Sequence, residues 1–239
     1  THIENPSITQ KVDIVQNKCF VAYVYWNAVD KKIEYDIFDE RHGISMSPKT
    51  HVYLHVTRGA QYVSGMAIEN ITSTGNGNTD SDAQYGITTG IFFDEDLAHN
   101  TESKSVGDTI PVAYLSGGDG LLRVEEQTGF GVLNAPAGRL YYNEWTGTSW
   151  QLTEVTNSDF VLYHLFAVNG DSKQIIAIMG NSEYGNVGSA RAGANQEISD
   201  ILIRFDIEEI VPIATIIYQT RDTYTNSVKA RVVQTDTGD

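Results

Sequence analysis

Several features that often point to a function are scarce or missing in this chain of 239 residues. A single cysteine, Cys19, rules out an intrachain disulfide. No apolar run approaches the roughly 18 residues of a membrane-spanning helix, so membrane insertion is not expected. Positive charge is scarce too, because 16 Lys and Arg stand against 31 Asp and Glu, which gives a net charge of −15. Such an acidic surface repels phosphate, and nucleic acid is therefore not expected as a partner.

Catalytic signatures are missing as well. The chain has no Gly-x-Ser-x-Gly elbow, no P-loop and no dinucleotide-binding fingerprint. Cys19 has no nearby base to activate it, and its strand-like surroundings predict a small buried apolar group. The sequence thus predicts a protein that is not an enzyme and carries no cofactor. A glycan depolymerase with paired carboxylates stays an alternative, although 31 acidic residues single out no pair.

What the chain does contain is a succession of short strands rich in Tyr and β-branched residues and separated by Gly-containing turns. Residues 19–26 are apolar on both faces, which predicts a strand buried on both sides or packed against another subunit. Asn169-Gly170 is the strongest hairpin signal. Strands are predicted over residues 19–26, 33–38, 51–57, 61–68, 86–93, 110–115, 121–124, 140–144, 150–154, 160–168, 174–179, 211–220 and 227–234.

One helix is predicted, over residues 189–204, with Ser189 as its N-cap. Its apolar stripe comprises Ala190, Ala194, Ile198, Ile201, Leu202 and Phe205. Because no helices alternate with the strands, we expect a mainly β fold, an antiparallel β-sandwich or a jelly-roll-like arrangement with this single helix. Residues 1–239 are expected to form one β-rich domain, with a subdivision near residues 135–140 as the alternative.

A polar segment over residues 72–82 has oxygen-bearing side chains at alternate positions, as a calcium-binding loop does. These are Asn76, Asn78, Asp80 and Asp82. The helix-loop-helix version needs Gly at its sixth position and Glu at its twelfth, and neither is present when the count starts from Asn76 or Asn78. Asn78, Asp80 and Asp82 are therefore only weak metal candidates, and a solvated loop is the simpler interpretation.

Two further sets of side chains have the chemistry of a metal site. Asp94-Glu95-Asp96 with His99 could bind a divalent cation, but adjacent residues point apart, so we predict a surface turn or an intersubunit salt bridge. Four of the six histidines, His42, His51, His55 and His99, could also form a metal site. If residues 51–57 form a strand, His51 and His55 lie roughly 13 Å apart and cannot share one ion.

Aromatic residues offer a different kind of site. Trp145 and Trp150 flank a turn at residues 146–148, where their rings could stack on the C–H faces of sugars. Tyr184 lies on another predicted loop and is a third candidate for glycan or partner contact. Packing in the core or against another subunit is the alternative for these residues.

A set of segments spread over most of the chain carries a family resemblance. They are residues 39–44, 51–55 with 58–60, 93–96 with His99, 141–143 with 150–152, 161–164, 176–180, and 211–220 with 229–231. Together these segments resemble bacteriophage virion structural proteins of the kind found in tail fibres, collar appendages and head-surface fittings.

This resemblance implies a non-enzymatic building block of the virion, assembled in the cytoplasm of the host bacterium and forming part of a longer or oligomeric protein. Its partners would be copies of itself, with a homotrimer favoured, and other virion proteins. The alternative implied function is a carbohydrate-binding or host-receptor-binding module at a fibre tip, active in host attachment.

Overall fold

The computed structural model describes residues 9–10, 13, 25–27, 31–34, 47–72, 74–170, 173–205 and 210–237. Cys19, His42 and most of the predicted strands 19–26 and 33–38 lie outside these residues. The helices whose bounds the structure describes are α1 (Pro48–Thr57) and α2 (Val187–Arg204), and a 3₁₀ turn spans Asp80–Ala83. The strands are β1 (Tyr25–Asn27), β2 (Lys32–Glu34), β3 (Ala60–Gly65), β4 (Ile68–Glu69), β5 (Gly86–Ile87), β6 (Gly90–Asp94), β7 (Leu97–Thr101), β8 (Val112–Ser116), β9 (Leu121–Glu125), β10 (Tyr141–Trp145), β11 (Trp150–Glu154), β12 (Phe160–Val168), β13 (Ile175–Tyr184), β14 (Ile210–Thr220) and β15 (Ala230–Thr237).

A central sheet of six strands organises the molecule, with the order β15-β14-β12-β13-β8-β9. Its strand pairs are antiparallel except for β13 and β8, which run parallel where Ala177 pairs with Val112. The predicted hairpin around Asn169-Gly170 is confirmed as the antiparallel pair β12–β13. The mainly β fold with a helix late in the chain is confirmed as well.

Strand β12 explains why the core has two parts. All of its residues are buried, and successive side chains of a strand point to opposite faces. Val161 and Tyr163 face the larger apolar cluster, whereas Leu162 and Phe166 face α2. The larger cluster also takes residues from both sides of residues 135–140, including Phe92 and Ile216.

Helix α2 begins slightly earlier than predicted. Its N-cap is Asn186, whose side-chain oxygen accepts a hydrogen bond from the Ser189 N–H at 2.9 Å. The buried positions are Ala190, Ala194, Glu197 and Ile201. Leu202, which we placed on the apolar stripe, is 41% exposed. The stripe that contacts the sheet therefore contains a glutamate at its centre.

The predicted strand at residues 51–57 is wrong, because these residues lie in α1. Ser47 caps that helix by accepting a hydrogen bond from the Thr50 N–H at 3.2 Å, and Pro48 occupies its first turn, where a missing N–H costs nothing.

Within the described residues, no helix has the length and the apolar character that a membrane span requires.

Smaller sheets surround the central one. Strands β3, β6 and β7 form an antiparallel sheet with β3 at one edge, and β10–β11 form a separate hairpin. The surface turn predicted for Asp94-Glu95-Asp96 with His99 is wrong for three of these four residues, because Asp94, Glu95 and His99 are buried and His99 lies in strand β7.

Candidate functional site

The hairpin β10–β11 brings the two candidate tryptophans together. Trp145 and Trp150 form the last cross-strand pair before the turn, and their ring centroids lie 5.3 Å apart at an interplanar angle of 45°. Trp150 is buried, whereas Trp145 is 43% exposed. Asn143 anchors the hairpin, because its side-chain amide exchanges two 2.8 Å hydrogen bonds with the backbone of Leu115. The two tryptophans are thus held rigidly beside the central sheet.

An open cavity of about 310 Å³ lies beside these rings, and we call it the aromatic groove. The hairpin forms one wall, the end of β13 forms another, and the last residue of α2 contributes Arg204. The guanidinium carbon of Arg204 lies 5.0 Å from the centre of the Trp150 ring, a cation–π distance. In the described part of the chain the groove is lined by Tyr142, Glu144, Trp145, Trp150, Asn181, Ser182, Glu183 and Arg204.

Two polar groups of the aromatic groove, Tyr142 and Glu144, have shifted pKa values. Hydrogen bonds from Thr153 and Gln151 lower the pKa of the Glu144 carboxyl group, so it is a carboxylate acceptor. Partial burial, followed by the nearby charges of Glu144 and Glu183, raises the pKa of the Tyr142 hydroxyl, so it stays a protonated donor. The groove therefore offers hydrogen-bond donors and acceptors beside an exposed aromatic face.

The third aromatic candidate, Tyr184, belongs to a different group of residues. Its hydroxyl donates a 2.7 Å hydrogen bond to Glu197 Oε1, and Glu197 Oε2 lies 3.0 Å from His164 Nε2. On the other side of the imidazole ring, Nδ1 lies 2.9 Å from the Thr215 hydroxyl. We call these four residues the helix-side polar cluster, because they lie between α2 and the central sheet.

His164 and Glu197 were not among the predicted site residues, although the sequence contains a signal for Glu197. Glu197 falls at the spacing of Ala190, Ala194 and Ile201, so a carboxylate occupies one position of a buried stripe. Thr215, His164 and Glu197 are in the order hydroxyl, imidazole, carboxylate, as in a nucleophilic triad. However, all three side chains are buried, so a substrate cannot reach the hydroxyl in this conformation.

The weak metal candidates are used in hydrogen bonds. Asp82 is buried, and its Oδ2 accepts from the backbone N–H groups of Gly77, Asn78 and Thr79 at 2.9, 3.1 and 3.3 Å. The Asp80 carboxylate accepts from the N–H and hydroxyl of Ser227 at 2.8 and 3.0 Å. The Asp82 carboxylate therefore orders its own loop, and the Asp80 carboxylate joins this loop to the segment before β15.

The second acidic segment is packed inside the fold at Asp94 and Glu95, whereas Asp96 is exposed. Asp94 Oδ2 accepts a 3.2 Å hydrogen bond from the Asn169 amide, and His99 stacks on Phe92 with ring centroids 5.1 Å apart.

The histidine positions 51 and 55 lie one helical turn apart in α1, which is closer than the separation expected for a strand. Among the residues that the structure describes, no three His, Cys, Asp or Glu side chains are grouped so that they could hold a metal ion.

A second candidate surface lies on the edge strand β3. Five of its six residues are exposed, and the side chains of Tyr62 and Val63 are 56% and 44% exposed. Within the described residues β3 pairs with β6 alone, with an irregularity in register between Tyr62 and Ser64. The run from residue 60 to residue 68 contains no charged side chain.

Comparison with known proteins adds no family, since no protein-family model, curated protein sequence or solved structure matches this chain significantly.

Proposed function

We propose that this chain is a structural subunit of a bacteriophage virion and acts by assembling with copies of itself in a tail fibre, collar appendage or head-surface fitting. The observation that carries the proposal is the exposed edge of β3. Edge strands of monomeric proteins usually bear charged residues, which prevent another strand from pairing with them. The edge of β3 bears Tyr62 and Val63 and no charge, as expected for a strand that a second copy covers.

The overall charge makes this uncharged edge more informative. Two copies of a chain with a net charge of −15 repel each other at most surfaces. An uncharged strand is a place where they can meet without like-charge contacts. The backbone groups of β3 that pair with no strand among the described residues would supply hydrogen bonds to the neighbour. A trimer, which the family resemblance favours, would use a heterologous contact in which β3 meets a different surface of the next copy.

Light scattering coupled to size-exclusion chromatography tests the assembly. We expect wild-type protein to have the mass of three chains and Val63→Lys to have the mass of one, because the lysine places a charge on the edge. Val106→Lys is the matched control, since Val106 is 40% exposed and lies outside β3. A wild-type protein that is monomeric at high concentration would contradict the assembly proposal.

The location in a virion needs a separate measurement. Mass spectrometry of purified phage particles should detect peptides of this chain at a constant ratio to the other structural proteins. If the peptides occur only in the unassembled fraction of the infected cells, the protein is not a virion component, whatever its oligomeric state.

A further inference from the structure

We propose that the aromatic groove is a binding site for a neutral glycan, with the exposed ring of Trp145 as the stacking surface. This proposal does not depend on self-assembly, because none of the groove residues lies on β3. The indole of Trp145 is 43% exposed, and the C–H face of a sugar ring is an apolar surface of matching shape.

The polar lining of the groove suits the other side of a sugar ring. Sugar hydroxyl groups both donate and accept hydrogen bonds, so their sites need both kinds of partner. Arg204 and the Tyr142 hydroxyl supply donors, the Glu144 carboxylate is an acceptor, and the Asn181 amide supplies both. Glu144 already accepts through Oε2 from Thr153 and Gln151, which fixes its orientation before a ligand binds.

Charge and size restrict the class of ligand. The groove contains two carboxylates, Glu144 and Glu183, and one guanidinium, Arg204, and the whole chain has a net charge of −15. Sialic acids and uronic acids would be repelled, which favours neutral sugars. A volume of about 310 Å³ is near the lower end of the roughly 300–1,000 Å³ typical of small-molecule sites, so about one or two sugar rings would be accommodated.

Hydrolysis of the glycan is not part of this proposal. A retaining or inverting glycosidase needs one carboxylic acid with a raised pKa beside a carboxylate. In the groove, the pKa of Glu144 is lowered by its hydrogen bonds. Glu144 therefore does not fit the role of the acid, and the proposal concerns binding alone.

The test combines a glycan array with NMR of the full chain labelled with ¹⁵N. The array should carry neutral and anionic oligosaccharides, among them lactose, cellobiose, diacetylchitobiose and sialyllactose. We expect binding to neutral glycans only. Titration with the best binder should give a saturable shift of the Trp145 indole N–H signal, which a Trp145→Phe variant identifies among the three tryptophans of the chain.

Two variants and one control locate the site. Trp145→Ala should weaken binding at least about tenfold, as removal of a central aromatic contact does, and Arg204→Ala should weaken it by a smaller factor. Tyr53→Ala removes an aromatic ring that is 64% exposed outside the groove and should leave binding unchanged. The ¹⁵N spectra show whether each variant is folded.

Three results would overturn the proposal. One is an array on which no neutral glycan binds, and another is binding that Trp145→Ala does not weaken. The third is a Trp145→Ala variant that loses self-association, because the groove would then be a contact between copies of the chain. Failure of the light-scattering test on Val63→Lys would leave the glycan proposal intact, so the two proposals can fail separately.

Discussion

The two faces of the central sheet are packed in different ways. One face rests on a continuous cluster of buried apolar residues that includes Phe92, Val161 and Ile216. On the face beneath α2 the apolar contacts fall into two groups, one around Phe166 and Ile201 and the other around Leu162 and Ala194. The helix-side polar cluster lies between these groups, since Glu197 falls between Ala194 and Ile201 along α2.

This difference indicates separate roles for the two faces. Apolar packing is non-directional and tolerates small shifts of one element over another. A buried carboxylate paired with an imidazole and a phenol is satisfied in one geometry only, and a shifted helix would leave these groups buried without partners. We infer that the apolar face supplies most of the stability, whereas the helix-side polar cluster fixes the position of α2.

The largest expected effect comes from breaking that cluster at its centre. Glu197→Ala would leave His164 Nε2 and the Tyr184 hydroxyl without their shared acceptor and would open a cavity. We expect a loss of about 3 kcal/mol in the free energy of unfolding, which is typical of a buried pair that loses one partner. Urea denaturation followed by circular dichroism measures this loss.

A surface variant and a double variant sharpen the result. Asn195→Ala changes an exposed residue of the same helix and should be neutral or slightly stabilising, because alanine favours helix. Replacing both Glu197 and His164 with leucine should recover only part of the lost stability. Paired apolar residues are often as stable as a buried polar pair, but the hydroxyls of Tyr184 and Thr215 lose their partners. If Glu197→Ala costs no more than Asn195→Ala, the polar cluster does not hold α2.

Strand content and position were largely predictable from the sequence, because a strand buried on both faces is a long apolar run. Residues 160–168 were predicted with the observed bounds of β12, and residues 211–220 match β14 except for its first residue. Helix α1 was missed because Val52, Leu54 and Val56 alternate as in a strand. The Ser47-Pro48 pair was the available signal, since it is a common helix start.

The candidate sites were less predictable, because each joins residues that are distant in sequence. The turn after Trp145 indicated that Trp145 and Trp150 would be neighbours, and they are. The arrival of Asn181 and Arg204 at the same groove depends on how β13 and α2 pack, which no local pattern encodes. The contact between His164 and Glu197 depends in the same way on the register of α2 over β12.

A smaller effect is expected at Gly180, where β13 passes beneath Glu197. A Cβ atom at this position would lie 2.7 Å from the Leu162 carbonyl oxygen and would clash with Glu197 Oε2. Gly180→Ala should therefore push α2 outward and cost about 1–3 kcal/mol, as overpacking does.

Gly185→Ala is the matched control for that change. Gly185 follows the end of β13, and a Cβ atom there would meet no other atom within 4 Å. Thermal unfolding of both variants should show a lower midpoint for Gly180→Ala alone. Equal midpoints would mean that α2 does not sit as close to the sheet as the position of Glu197 requires.

The smallest effect concerns the apolar face and appears only in alkali. Burial raises the pKa values of Tyr85, Tyr163 and Tyr218 well above their usual range. In the unfolded chain a tyrosine releases its proton near pH 10, whereas the folded protein keeps it, so stability is complete below about pH 10 and falls as the pH rises. Tyr163→Phe removes one such group. The stability of this variant should therefore fall less steeply than that of the wild type, by about 1 kcal/mol between pH 10 and pH 11.

Urea denaturation at both pH values measures the slope, with Ile216→Val as a control whose stability loss is the same at each pH. If Tyr163→Phe and wild type lose stability in parallel, the buried phenols do not govern the response of this face to alkali.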